Sequence, residues 1–314
     1  MIENEQPFIY WIDILGVCNL RCPSCPVANF NDPDKYSGLM SFDLFTQIIK
    51  KAISETTISV IALYNWSEPF LHPELPKFIK LVNSFGLTCI ISTNLNKINN
   101  LEAIIKAKPA EIRISLSGFY QPVYSVTHKK GNIETVKANM HTLREELNRQ
   151  NSKTRVEVAY HRYLHNQGED YHKMKELCLE LGFLFKPSWA HFSPLEKIFT
   201  YFEDKSKLSA EDLKLIDLLV LKPEDVMSIA VQFKDLDCTL RANQMAINAD
   251  GSVALCCVTY EQKNNISLNF MDLPHSELQK KKYEHQTCQK CIEKSLHMLY
   301  VNPATNLLNQ MEAI

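Results

Sequence analysis

The chain of 314 residues is 45% hydrophobic and 22% charged, with a formal net charge of -2. This is the profile of a globular protein with ample core, read as one large domain and a smaller one. Its basic run is limited to Lys280–Lys282, so it lacks the cationic footprint a phosphate backbone requires, and nucleic acid is excluded as an expected partner.

No apolar stretch approaches the ~20 residues of a membrane span. The acidic start MIENEQPF differs from the basic, then apolar, opening of a signal peptide, so a cytoplasmic chain with no membrane partner is expected. In a reducing compartment the ten cysteines stay available for metal or redox work rather than disulfides.

In chain order, the first β-rich apolar run, FIYWIDIL at 8–15, leads directly into GVCNLRCPSCP at 16–26, which holds Cys18, Cys22 and Cys25. Further runs of strand character follow at 58–64, 87–92, 111–117, 155–160 and 183–187. Helical patterns separate them. The stretch from Ser41 carries apolar residues at 42, 44, 45, 48, 49 and 53, with Ser41 placed as its cap. The helices at 74–86 and 170–182 close on Gly86 and Gly182, and 132–147 is amphipathic. Six strands with five intervening helices predict a parallel α/β sheet, open or rolled. Ligands collect at the C-terminal ends of such strands, which is where the three-cysteine loop falls.

A structural zinc site takes four protein ligands, and this loop supplies three. A [4Fe–4S] cluster also takes four thiolates, but with three it keeps one iron open to a small molecule.

The segment CNLRCPSC resembles the CxxxCxxC motif of radical S-adenosylmethionine (SAM) enzymes, and the resemblance extends over most of the chain. It implies a partial (β/α)6 barrel with a [4Fe–4S] cluster on Cys18, Cys22 and Cys25, whose open iron chelates SAM. It also implies reductive cleavage of SAM to methionine and a 5′-deoxyadenosyl radical that abstracts hydrogen from substrate, with a flavodoxin- or ferredoxin-type electron donor. LYNWSEPFLHPELP at 63–76 resembles the family's glycine-glycine-glutamate segment, placing Ser67 and Glu68 in its last two positions; the ammonium of SAM has donors only and needs such acceptors.

The segments at 91–96 and 114–118 match regions that touch the SAM ribose and carboxylate, nominating Ser92, Asn94, Ser115 and Ser117. Such residues are as often strand-end turn formers and caps. Tyr124 and His128 are either a clamp for the SAM carboxylate or part of a crossover loop, to which Lys129 and Lys130 are assigned. Two departures stand out: Ser24 replaces the aromatic residue that many members carry before the third cysteine, and Trp66 and Ser67 replace the first glycine pair.

In the tail, QMAIN and SVALC alternate as strands around the turn signal NADG, predicting a hairpin with Cys238 and Cys256 near its base, and CQKC adds Cys288 and Cys291. By spacing alone, four thiolates here suit zinc or iron–sulfur equally. Behind a radical SAM core the segment resembles the SPASM extension in its shortened, twitch form, with the cysteine layout of 2-deoxy-scyllo-inosamine dehydrogenases. That resemblance implies one auxiliary [4Fe–4S] cluster on Cys238, Cys256, Cys288 and Cys291. Adjacent strand residues face opposite ways, so Cys257 is read as a small buried hydrophobe.

Cys89 and Cys178 are read as core, the alternative being a thiol hydrogen donor, and the aromatics at 189–192 and 201–204 as connector packing, the alternative being a pocket lining. The expected organisation is a core over 1–190, a helical connector over 191–236 and an auxiliary domain over 237–314. The expected function is oxidation of a small polar substrate such as a sugar or aminocyclitol, with the auxiliary cluster as electron acceptor. Peptide maturation or epimerisation is second; the seventeen residues before Cys18 leave no room for an N-terminal peptide-recognition domain. A non-enzymatic iron–sulfur or zinc module is third.

Overall fold

In the computed structural model, which describes residues 7–29 and 36–300, the apolar runs form six parallel strands. They are β1 (Phe8–Ile12), β2 (Ile58–Ala62), β3 (Thr88–Thr93), β4 (Glu111–Leu116), β5 (Arg155–Arg162) and β6 (Leu184–Trp189), each paired with its sequence neighbour. The helices are α1 (Pro26–Asn29), α2 (Phe42–Glu55), α3 (Leu75–Ser84), α4 (Leu101–Lys106), α5 (Gln121–Thr127), α6 (Ile133–Arg149) and α7 (Glu169–Glu180). The N-terminal residues 1–6, on which the targeting expectation rests, and residues 301–314 of the expected auxiliary domain lie outside the described residues.

Local chemistry sets these boundaries. The Ser41 hydroxyl accepts from the Leu44 N–H at 3.1 Å, starting α2, which turns Phe45, Ile48, Ile49 and Ala52 inward. Gly86 and Gly182 follow α3 and α7 at φ +71 and +63, in the left-handed region that glycine enters without a Cβ penalty. Odd-numbered residues of β3, such as Cys89 and Ile91, are buried beneath the helices, and Cys178 of α7 joins the same core. Each such side chain stabilises the fold by roughly 1.5–3 kcal/mol when it is a Leu, Ile or Phe.

The connector is helical, with α8 (Leu195–Glu203), α9 (Ala210–Asp217) and α10 (Pro223–Ala230). Trp189, Phe192 and Tyr201 build its separate apolar core together with Leu195 and Leu215. Packing is therefore the role of these aromatics.

The tail supplies α11 (Thr239–Ala242), β7 (Gln244–Ile247), β8 (Val253–Ala254), β9 (Asn265–Ser267), α12 (His275–Glu284) and α13 (Gln286–Glu293). The predicted hairpin forms: β7 and β8 are antiparallel around Gly251, whose φ is +88. It does not stand apart from the core, because β7 also pairs parallel with β1, Tyr10 opposite Met245. The result is one open nine-stranded sheet, β6-β5-β4-β3-β2-β1-β7-β8-β9, a partial barrel whose sheet does not close.

Candidate active site

The loop after β1 turns tightly against Tyr36; a Cβ on Gly16 would lie 2.6 Å from the Tyr36 carbonyl carbon, so only glycine fits. Beyond it, Cys18, Cys22 and Cys25 line one cavity of about 220 Å³ at the C-terminal end of the strands. The Cys25 N–H closes a turn on the Cys22 carbonyl at 3.0 Å, and the Leu20 N–H points at Cys18 Sγ at 3.4 Å. Burial pushes the Cys18 thiol up to about 12 and Cys22 well above its ordinary value, and the neighbouring sulfurs add to both shifts. Three thiols on one wall, Cys18 and Cys22 desolvated, suit a bound cationic iron centre, which stabilises thiolates directly.

The wall from β2 is held by a residue that sequence reasoning missed. Asp13, just past β1, accepts from the backbone N–H groups of Asn65, Trp66 and Ser67 at 2.9–3.2 Å, and from the Ser67 hydroxyl. Ser67 lines the cavity, but its hydroxyl is turned onto Asp13. The sequence signal was a lone carboxylate in the apolar run IYWIDIL. Glu68 is 3% exposed; its carboxylate accepts from the N–H of Phe70 at 3.1 Å and of Asn94 at 2.7 Å, and desolvation raises it to about 7.

Asn94 points its amide at Asn19 Oδ1, 3.0 Å away, and at Cys18 Sγ, 3.7 Å away. Glu68, Asn94 and Cys18 thus form one connected corner. Ser92 and Ser115 also line the cavity, the latter 3.0 Å from His161 Nε2. Ser117 is fully buried, hydrogen-bonded to Thr127 and, at 3.0 Å, to His128 Nδ1. It supports His128, which does reach the cavity. Burial lowers His128 to about 4 and His161 to about 3, so both are neutral imidazoles able to donate and accept. Tyr124 stacks on His128 with ring centroids 4.7 Å apart and bonds Asn96. Lys129 pairs with Glu211 at the surface. His161 and Tyr163 are further lining residues that sequence reading missed; His161 follows Glu157 and Ala159 in the alternation of β5, directly after the run at 155–160.

In the tail, Cys238 caps α11, Cys256 follows β8, and Cys288 and Cys291 lie on α13. Cys238 sits in a small apolar cluster with Ala230 and Met298, Cys291 in the connector core, and Cys256 and Cys288 against the main core. Three packing units therefore meet at these sulfurs. The thiols lie within electrostatic reach of one another: after burial, Cys256, Cys238 and Cys288 are what raise Cys291. Cys257 is only half-buried and its Sγ lies 3.5 Å from Gln244 Oε1, so it is not the core residue expected. Among the described residues, no group of three or more His, Cys, Asp or Glu side chains forms a site for a single metal ion. Cys89 and Cys178, both buried, do not line the cavity.

Among known proteins, the family described as Radical SAM superfamily matches residues 12–159. No curated protein matches the chain. Among solved structures, Streptococcus suis SuiB bound to S-adenosylmethionine is similar at 16% identity and TM-score 0.53, over 79% of this chain and 60% of that one. The structure of anSMEcpe with bound AdoMet is similar at 16% identity and TM-score 0.57, over 92% of this chain and 84% of that one. The chain thus spans about three-fifths of the length of SuiB. Residues 12–159, whose cysteine loop and open parallel sheet are described above, are thus a radical SAM domain.

Proposed function

We propose that this protein is a radical SAM dehydrogenase that oxidises a small polar substrate and carries a second, auxiliary [4Fe–4S] cluster. The observation that supports it most directly is the convergence of Cys238, Cys256, Cys288 and Cys291 from three places in the tail onto one junction. Four cysteines saturate a cluster, leaving outer-sphere electron transfer as its role. The SAM cluster, when bound by Cys18, Cys22 and Cys25, supplies the one-electron cleavage of SAM that generates the hydrogen-abstracting radical.

The chain's own residues do the rest. Glu68 presents its carboxylate near Cys18 for the SAM ammonium, held by the Asn94 N–H, while the Asn94 amide nitrogen faces Cys18 Sγ. Asp13 keeps the 65–67 backbone in place. Ser115 and the neutral His161 offer donors and acceptors to substrate hydroxyls. A second reading, a peptide substrate, is supported by the neighbour SuiB, solved with its precursor peptide SuiA.

Two measurements test the proposal. Anaerobically reconstituted protein should hold about eight irons, and replacing Cys18, Cys22 and Cys25 together by Ala should leave about four; stoichiometric zinc in the tail would sink the auxiliary-cluster half. Once a substrate is in hand, turnover in deuterated water should give an oxidised product. Solvent deuterium on the reacting carbon with unchanged oxidation level would identify an epimerase instead.

A further inference from the structure

Lys282, on α12, is 1% exposed. Its ammonium donates to the main-chain carbonyls of Leu240 and Arg241, both at 3.1 Å, and of Gln244. These use its three donors, but carbonyl oxygens solvate a charge without cancelling it. A buried ammonium ordinarily demands an anion, and among the described residues no carboxylate pairs with it. The ionisable groups that act on it electrostatically are the cysteines Cys256, Cys257, Cys238 and Cys288, and its own charge acts in turn on His275 of the same helix. The carbonyls that hold it belong to α11, which Cys238 caps, and to the first residue of β7. Arg241 also bonds towards Cys288, but it lies nearer the surface and is partly neutralised by Asp237 at 2.6 Å.

As thiols these cysteines carry no charge to match Lys282. As four thiolates around a [4Fe–4S] core they carry a net negative charge, which grows by one when the cluster takes up an electron.

We infer that Lys282 is the built-in counter-charge of the group held by Cys238, Cys256, Cys288 and Cys291, and that it raises the reduction potential of that cluster. This rests on the auxiliary-cluster reading above. A fixed positive charge in a dry site stabilises the reduced, more negative state over the oxidised one. The carbonyl cage holds the ammonium in place, so its field needs no rearrangement when the electron arrives. An acceptor tuned upward in this way suits an electron leaving a substrate radical.

The test uses the full chain with Cys18, Cys22 and Cys25 replaced by Ala, so that any iron and any redox signal belong to the tail. Iron per chain and the midpoint potential, from a spectroscopically monitored redox titration, are compared for Lys282, Lys282→Arg and Lys282→Met. Lys282→Met should keep its iron and titrate at a more negative potential, with Lys282→Arg close to the parent. If Lys282→Met loses the cluster while Lys282→Arg holds it, the positive charge is required and the inference stands. Loss in both, or an unmoved potential in an iron-loaded Lys282→Met, overturns it and leaves Lys282 as a packing and capping residue. Absence of iron when Lys282 is intact overturns the auxiliary-cluster reading itself.

Discussion

The indole N–H of Trp66 donates to the carbonyl of Thr259 at 3.3 Å, joining residues 193 positions apart. On one side, the Trp66 carbonyl lies 3.8 Å from Cys25 Sγ. On the other, the Thr259 hydroxyl exchanges hydrogen bonds with the Cys256 backbone, donating at 2.8 Å and accepting at 3.2 Å. One residue therefore links the two cysteine groups. The Trp66 ring also meets Tyr260 edge-on at 6.1 Å, and Tyr260 meets Tyr36 at 5.7 Å.

Trp66→Phe should retain most of the packing and lose one hydrogen bond, about 1 kcal/mol. Trp66→Gly, which restores a glycine where the resemblance expects one, should cost about 3 kcal/mol because the half-buried ring disappears. It should also weaken SAM binding, since the 65–68 loop loses its tail contact. Thermal unfolding and SAM calorimetry check both; a Trp66→Gly protein unchanged in melting and affinity would show the link to be idle.

Asp13 supports the same loop from below. Asp13→Ala would leave three backbone N–H groups of residues 65–67 without their acceptor, a loss of roughly 3 kcal/mol. Asp13→Asn keeps one oxygen and should lose less. Denaturant titration of the two variants against the parent should therefore rank them parent, Asn, Ala.

The strand and helix pattern was legible because the apolar periods of 2 and 3.6 are properties of local sequence: Ser41, Gly86 and Gly182 punctuate the chain where expected. The pairing of β7 with β1 was not, since nothing in QMAIN states which edge it will meet. The three-cysteine loop was legible from spacing alone. Asp13, His161 and Lys282 were missed because each acts through partners 52, 46 and 38 residues away in sequence. Ser117 was nominated for its strand-end position, but its depth below the cavity depends on the α5 packing that buries it.

In the proposed function the Glu68 carboxylate receives the SAM ammonium, and Glu68→Gln preserves size while removing that charge. SAM affinity should fall by about 2 kcal/mol, roughly thirtyfold, with iron content unchanged. Calorimetry of the reconstituted protein decides it; equal affinity would reassign the ammonium contact to the loop carbonyls.

His275 gives a pH signature away from both cysteine groups. It is 6% exposed, its Nδ1 lies 2.7 Å from the Tyr10 hydroxyl, and its ring meets Phe8 at 4.4 Å. Burial, helped by the charge of Lys282, lowers it to about 4, although Glu55 opposes the shift. In the unfolded chain it titrates near 6.5. Above that value neither state binds the proton and the native contact has its full effect. As pH falls from about 6.5 towards about 4, the unfolded state takes up a proton that the native state refuses, so stability is lost, by up to about 3 kcal/mol in all. His275→Phe cannot titrate, but it forfeits the Tyr10 hydrogen bond, about 1 kcal/mol. The variant should therefore melt below the parent near pH 8 and match or exceed it near pH 5. A gap between the two that stays constant with pH would mean that His275 is protonated in the native protein as readily as in the unfolded chain.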